Sequence, residues 1–232
     1  MPTSRSRACI AAWSAGADVG AVLSLDGLLG ARRVWRGSPA QAPVPADALP
    51  TGCDALDAVL PSGGWPPGAL SEILLPVDGV GELQLAWPVL ARLSQAGRPV
   101  VLVASPYEVH APAWAAAGID LAHLQRVHAQ PRDALWATEQ CLRSGACGAV
   151  LCWPDRADDR ALRRLQVAAE AGQCIGLAFR PLREARNPSP AALRVSLEPS
   201  GEGAPRRLRV LKCRGANAPA RTIAFARTIA FA

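Results

Sequence analysis

The sequence lacks a long hydrophobic run. No stretch of about 18 consecutive apolar residues occurs in its 232 residues, so we expect no membrane-spanning helix and no membrane partner. The first 25 residues hold a weakly apolar stretch, but Asp18 and Gly20 interrupt it, which argues against a secretory signal peptide. Half of the residues are hydrophobic and 19% are charged, as is typical of a globular protein with one sizeable core. We therefore expect a cytoplasmic protein.

Lysine is almost absent, because Lys212 stands alone beside 24 arginines. Any chemistry that requires a lysine must use this residue. The charges are also uneven along the chain: residues 51–154 carry 5 basic and 9 acidic groups, whereas residues 155–214 carry 13 basic and 7 acidic groups. A basic last third favours an anionic partner such as nucleic acid. A solvated arginine-rich surface is the alternative interpretation.

The seven cysteines form no C-x-x-C pair. Cys152 and Cys174 lie in apolar, strand-like runs, so free buried thiols in a reducing compartment explain them best. The spacings of Cys141, Cys147 and Cys152 fit a zinc site poorly. We expect no metal and no cofactor.

Strands and helices alternate between residues 69 and 180. Apolar runs such as 99–104 and 174–180 predict buried strands. Amphipathic helices are predicted over residues 82–95, 133–143 and 158–171. Two later runs, 192–197 and 208–213, alternate apolar with polar residues and predict an antiparallel edge. The whole pattern predicts an α/β fold with a mostly parallel sheet flanked by helices.

The chain divides into three predicted regions. Residues 1–50 form an N-terminal extension that ends in a Pro/Ala linker, residues 51–215 form the core domain, and residues 216–232 form a tail. The tail holds the hexapeptide RTIAFA twice in tandem, at 221–226 and 227–232. One copy is able to pair as a strand. A recent duplication or a sequence artefact explains the second copy better than a functional repeat.

The turn after the first core strand lacks the residues of a phosphate-binding loop. Such loops read G-x-x-x-x-G-K-[ST], with the lysine on the phosphates and the hydroxyl on Mg²⁺. Here Gly79 and Gly81 remain, but Glu82 stands at the lysine position and Leu83 at the Ser/Thr position. Asp78 and Glu82 would repel a triphosphate. We expect a degenerate nucleotide site whose glycines serve a structural turn.

Other catalytic arrangements are also missing. The three histidines are accompanied by no G-x-S-x-G motif, and the paired carboxylates Asp158 and Asp159 suit a helix N-terminus. We therefore expect no enzyme. A weak ATPase with an unorthodox phosphate loop stays open as an alternative.

Several short motifs occur in an order that resembles the RecA recombinase core. They are TGCDALD at 51–57, GGWPPGALSE at 63–72, GRPVVL at 97–102 and LKCRG at 211–215. With VWRG at 34–37, the chain is similar to the translesion-synthesis-associated ImuA family, RecA-like proteins related to SulA. The unusual first 25 residues and the doubled tail depart from that family. The resemblance implies a RecA-like core.

The resemblance also implies a function. ImuA-type proteins are non-catalytic accessory factors of SOS-induced, error-prone translesion DNA synthesis. The implied partners are an ImuB-type polymerase-like adaptor, RecA and an error-prone C-family polymerase. Single-stranded DNA is a further candidate partner. The alternative function is a SulA-type inhibitor of cell division that binds the tubulin-like division protein.

Positions shared with RecA suggest roles for aromatic residues. Tyr107 and Trp153 fall where RecA has its catalytic glutamate and its Mg²⁺-directing aspartate. Trp114 falls where RecA stacks an aromatic ring on adenine, although a core or interface role is the alternative. Aromatic anchors dominate many interfaces, so we consider three tryptophans as partner contacts, with core packing as the alternative for each: Trp65, Trp114 and Trp136.

Basic residues are assigned by the same resemblance. Lys212 and Arg214 match the basic pair that RecA uses across its subunit interface, so we expect them to contact a partner protein or DNA. The DNA-binding loops of RecA correspond to residues 154–158 and 181–190. These loops place four candidate DNA contacts: Arg156, Arg180, Arg183 and Arg186. A basic surface loop is the alternative interpretation.

Overall fold

A computed structural model describes residues 48–198, 206–215 and 222–225. The chain divides into two units, residues 1–38 and 39–232, and the first unit lies outside the described residues. Most of the predicted linker and the second hexapeptide copy also lie outside them. The predicted domain boundaries at residues 50 and 215 stay predictions.

One eight-stranded sheet has the strand order β3-β2-β4-β5-β1-β6-β7-β8. Neighbouring strands from β3 to β6 run parallel, whereas β7 and β8 run antiparallel to their neighbours. The strands are β1 Leu70–Leu75, β2 Val100–Val103, β3 Leu124–Val127, β4 Ala149–Cys152, β5 Ile175–Pro181, β6 Leu193–Glu198, β7 Arg206–Cys213 and β8 Thr222–Phe225. The mostly parallel α/β sheet with an antiparallel C-terminal edge is thus confirmed. The finer assignment to a RecA-like core is not.

Five α-helices connect or flank these strands in the described residues: α1 Asp54–Asp57, α2 Leu83–Gln95, α3 Ala111–Ala116, α4 Ala134–Arg143 and α5 Asp159–Gly172. Short 3-10 helices cover Leu121–His123 and Leu182–Arg186. Helix α2 continues through Pro88, where the sequence predicts a kink or a fresh start. Within the described ranges, no helix has the length and hydropathy that crossing a membrane requires.

Each face of the sheet packs on its own layer of helices because successive side chains of a strand point to opposite faces. On one face, Ile73 and Leu102 join a core that includes Leu90 of α2 and Trp114 of α3. On the other face, Leu70, Val101, Val150 and Ala178 pack against residues of α4 and α5 such as Leu142, Leu162 and Leu165. The two layers hold the carboxyl ends of β2, β3 and β4 at one edge of the sheet.

The outermost strand, β8, comes from the first tail hexapeptide. Its Ile223 faces Leu208 of β7 and is buried in the core. One copy of the repeat therefore forms a strand, as the sequence suggested.

Candidate functional site

A groove opens at the carboxyl ends of β2, β3 and β4. It encloses about 1190 Å³ between the strand ends, at Val103 and Cys152, and the first turns of α4. A second hollow continues it towards α5, and the two hollows share Leu135, Asp155 and Arg156. Ligands of open α/β sheets bind outside the carboxyl ends of the parallel strands. This groove is therefore the candidate functional site.

Ala104 lines the groove in a conformation that is uncommon for a residue with a side chain. It directly follows β2 and has a φ of 48°, in the left-handed region. Its N–H donates to the carbonyl of Val127 at 2.9 Å, which ties the end of β2 to the end of β3. Backbone strain that the surrounding structure holds in place is a common feature of functional sites.

Trp136 provides the exposed apolar surface of the groove. Its side chain is 61% exposed, and among the exposed large hydrophobic residues of the described chain it is the one that lines the groove. The buried face of α4 consists of residues such as Ala137, Thr138 and Leu142, which leaves Trp136 at the surface. Of the three tryptophans considered as partner contacts, Trp65 and Trp114 are buried in the core, and only Trp136 is exposed.

Charges of both signs surround the groove. Arg126 contacts Glu108, and Nη2 of Arg183 lies 2.6 Å from Oδ1 of Asp155. Arg156 is exposed where the two hollows meet. A groove with an exposed tryptophan and charges of both signs suits a protein partner better than a polyanion such as DNA.

Arg180 does not lie in a surface loop. Strand β5 extends to Pro181, so Arg180 belongs to the sheet and only 2% of its side chain is exposed. Its guanidinium bonds to Glu72 on the neighbouring strand and is out of reach of a DNA strand, which corrects the prediction for this residue. The other three candidate DNA contacts are exposed: Arg156, Arg183 and Arg186.

Glu72 joins two buried arginines, and sequence reasoning missed this network. Its Oε1 accepts a bond from Nη1 of Arg180 at 2.5 Å, and its Oε2 lies 2.5 Å from Nε of Arg194. Arg180 also donates to the carbonyl of Ala157 at 2.7 Å, and Arg194 donates to that of Glu184 at 2.8 Å. The network therefore anchors both loops that border the second hollow. Its only signal in the sequence is a charged residue inside each of three apolar strands.

The predicted nucleotide site is a turn that other residues of the chain fill. Gly79 and Gly81 have φ values of 77° and 80°. The guanidinium of Arg206 lies over Gly81, where an added Cβ would be 1.5 Å from Nη1. Glu82 is buried just before α2, and Leu83, the first residue of the helix, packs against the core. An arginine and a buried acid thus occupy the turn where a phosphate cradle would be.

The three aromatic residues compared with RecA differ in their surroundings. Trp114 is the buried residue of α3 and packs in the core, which fits the core alternative for this residue. Trp153 stacks on Phe179 with ring centroids 5.1 Å apart. Tyr107 is exposed, and its hydroxyl bonds to the Asp78 carboxylate, which raises the pKa of Tyr107.

Lys212 and Arg214 both bind groups within the chain. The Lys212 ammonium donates to the carbonyl of Ser189 at 2.6 Å. Burial lowers the pKa of Lys212, and the positive charges of Arg194 and Arg214 lower it further. The Arg214 guanidinium pairs with Glu170 on α5 at 2.8 Å. Their predicted contact with a partner would therefore have to compete with these bonds.

Six cysteines lie in the described residues, and all six are free thiols. Burial raises the pKa of Cys152 and that of Cys174 to about 12 each. Across residues 48–198, 206–215 and 222–225, no group of three or more histidine, cysteine or acidic side chains has an arrangement that would hold a metal ion.

The family model of the cell division inhibitor SulA matches residues 68–176. This part of the chain is similar to the SulA family. The crystal structure of SulA from Pseudomonas aeruginosa is 29% identical to this chain, covering 50% of this chain and 99% of that one, with a TM-score of 0.42. No curated protein matches the chain. The segment matched to SulA runs from just before β1 into β5 and includes every residue that lines the main groove.

The match to SulA corrects the predicted function. It supports a relationship to SulA over residues 68–176, but not to the ImuA family itself. The predicted role in translesion synthesis is wrong, because the family match favours the alternative, a SulA-type inhibitor. The partners implied by that role, an ImuB-type adaptor, RecA and an error-prone polymerase, stay untested predictions.

Proposed function

We propose that this protein is a SulA-type inhibitor of cell division that binds the tubulin-like division protein. The observation that carries the proposal is the match of residues 68–176 to the SulA family model, whose name describes a cell division inhibitor. We propose that the protein acts in the cytoplasm, as part of the response to DNA damage.

The groove at the carboxyl end of the sheet is the proposed contact surface. It lies wholly within the segment matched to SulA, and Trp136 gives it an aromatic anchor at the surface. Arg183 and Arg186, two of the candidate DNA contacts, lie beyond that segment, whereas Arg156 lies within it. Tryptophan and arginine provide most of the binding energy in many protein interfaces. Trp136 and Arg156 are therefore the residues that we expect to contribute most.

Inhibition by this protein is proposed to be stoichiometric and without catalysis. Glu82 and Leu83 stand where a phosphate loop has its lysine and hydroxyl, and Arg206 covers Gly81. A titration of the purified protein with ATP, with and without Mg²⁺, tests this part. Magnesium-dependent ATP binding in the micromolar range would contradict it.

Binding to the purified tubulin-like division protein tests the proposal itself. We expect a saturable one-to-one interaction that weakens at least tenfold in Trp136→Ala, since the loss of a central aromatic anchor costs about 2 kcal/mol or more. Val167→Ala is the matched control, because Val167 is 51% exposed on α5 and lies outside the groove. Equal binding by both variants would remove the groove from the proposal. No binding by the wild-type protein would contradict the proposed function.

A further inference from the structure

The charged side chains that line the two hollows have partners within the chain, with one exception. Arg126 pairs with Glu108, and Arg183 pairs with Asp155. Each of the remaining carboxylates in the lining also forms a pair or accepts a bond: Asp133 with Arg132, Glu184 with Arg180, and Asp158 with the N–H of Ala161. These carboxylates therefore do not need a cation from a partner.

Arg156 is the exception. Its side chain is exposed at the junction of the two hollows, and it bonds to no other group in residues 48–198, 206–215 and 222–225. A guanidinium keeps its charge in proteins, because its pKa lies above about 12. The groove therefore presents one positive charge with which no side chain of the described chain pairs.

The backbone on both sides of Arg156 is held in place. Trp153, three residues before it, stacks on Phe179 with ring centroids 5.1 Å apart. Ala157, directly after it, accepts a 2.7 Å bond from the buried Arg180. A cation on a fixed backbone loses less conformational freedom on binding than one on a mobile loop, which favours its use as an anchor.

The surroundings of Arg156 suit a single carboxylate better than a polyanion. Leu135 lines both hollows and Trp136 follows it, so an apolar surface adjoins the cation. Asp155 also lines both hollows, and its carboxylate would repel a row of phosphates laid along the groove. One carboxylate forms two parallel bonds with a guanidinium and needs no second cation. Because the groove continues on either side of Arg156, a side chain of a passing segment fits better than the end of a chain, which would leave one hollow empty.

We propose that Arg156 binds one aspartate or glutamate side chain of the partner, and that an apolar side chain beside that acid packs against Leu135 and Trp136. This inference rests on the proposed function, because it specifies which feature of the tubulin-like division protein the groove recognises. Arg156 selects the charge of the partner, whereas Trp136 supplies contact area. A partner with an amide in place of the acid would leave the guanidinium without its counter-charge and would bind more weakly.

Charge variants of Arg156 test this inference separately from the proposed function. We expect Arg156→Gln to weaken binding to the purified division protein about tenfold or more. Arg156→Glu is expected to weaken it about a hundredfold or more, because like charges then face each other. Arg160→Glu is the matched control: Arg160 is exposed, bonds to no other group in the described part of the chain, and lies outside both hollows. Its affinity should stay within about fivefold of wild type, as expected for an exposed charge that forms no contact.

The outcomes separate the two proposals. Thermal unfolding first checks that both variants are folded, as we expect for changes at exposed side chains without partners in the described chain. Equal affinities of Arg156→Glu and Arg160→Glu would overturn the carboxylate inference and leave the proposed function standing. No binding by the folded wild-type protein would overturn the proposed function, and the inference with it.

Charge exchange identifies the acid on the partner. Each exposed aspartate and glutamate of the division protein is changed to lysine and tested against Arg156→Glu. We expect one of these changes to restore about tenfold or more of the lost affinity and to weaken binding to wild type, as exchanged members of one pair do. A single-stranded oligonucleotide is added as a competitor, and we expect no displacement. The absence of any restoring change, or displacement by the oligonucleotide that depends on Arg156, would overturn the inference.

Discussion

Glu72 and Arg180 form an ion pair that solvent does not reach. They lie on the adjacent strands β1 and β5, with side chains 0% and 2% exposed and the nearest atoms 2.5 Å apart. Arg194 on β6 pairs with the other oxygen of the same carboxylate. Arg180 also pairs with Glu184 at 3.1 Å, so two carboxylates balance the two guanidinium groups, and backbone carbonyls accept further bonds from the arginines.

Removal of the Glu72 charge is expected to destabilise the fold strongly. Glu72→Gln leaves the buried Arg194 guanidinium without its counter-charge and leaves Arg180 paired with Glu184 alone, so we expect a loss of about 3–5 kcal/mol in the free energy of unfolding. Glu108→Gln is the control, because Glu108 is 87% exposed in its pair with Arg126, and it should cost less than about 1 kcal/mol. Denaturant unfolding measures both variants. Similar losses in the two would show that the buried network contributes no special stability.

Substitution of Gly172 is expected to disturb the packing of α5 on α4. An added Cβ at Gly172 would lie 1.9 Å from the carbonyl oxygen of Leu142, and backbone atoms cannot move aside as a flexible side chain can. We therefore expect Gly172→Ala to cost about 2 kcal/mol or more. Ala171→Ser, a change at the exposed neighbouring residue, should stay within about 0.5 kcal/mol of wild type. Thermal unfolding that does not distinguish the two variants would contradict the close helix contact.

Gly172 also illustrates how much of the fold was predictable from the sequence. The apolar runs placed the strands within one or two residues, as at 99–104 for β2, because buried parallel strands are continuous hydrophobic segments. The sequence suggested that Gly172 ends helix α5. In the structure, Gln173 ends it with a φ of 48°, and Gly172 serves a close contact with a helix 30 residues earlier. Such a contact depends on tertiary packing, which local signals do not contain.

The candidate site was less predictable than the fold. The loss of the phosphate-loop lysine and hydroxyl at Glu82 and Leu83 is a local substitution, so the sequence shows it directly. Arg180 was expected to contact DNA. Its burial depends on a partner, Glu72, that is 108 residues away in the chain, so the local sequence gives no sign of it. Trp136 became a distinct candidate only when the structure separated it from the buried Trp65 and Trp114. The groove itself arises from three strand ends that are not adjacent in sequence.

The pKa of Glu170 is expected to depend on Arg214. The hydrogen bond from Arg214 holds the pKa of Glu170 below its usual value of 4.5, and a bond from Gln166 adds to this effect. In Arg214→Gln we expect the pKa of Glu170 to rise towards 4.5, as measured by NMR titration of its side-chain carboxyl carbon. Arg163→Gln, which removes a nearby arginine that pairs with Asp159 instead, is the control.

The same pair predicts a change in acid stability. A carboxylate whose folded pKa is lowered stabilises the protein above its unfolded pKa, and this contribution is lost as the pH falls through the folded pKa. Arg214→Gln should therefore reduce stability at neutral pH and make it fall less steeply below pH 4.5, relative to wild type. An unchanged pKa of Glu170 in this variant would show that the bond does not persist in solution.

Assembly of the tubulin-like division protein, followed by sedimentation of its polymers, tests the central claim most directly. We predict that an equimolar amount of this protein lowers the polymer mass without added ATP. Trp136→Ala should lose that effect while Val167→Ala keeps it. Unchanged polymer mass in the presence of excess, folded wild-type protein would contradict the account.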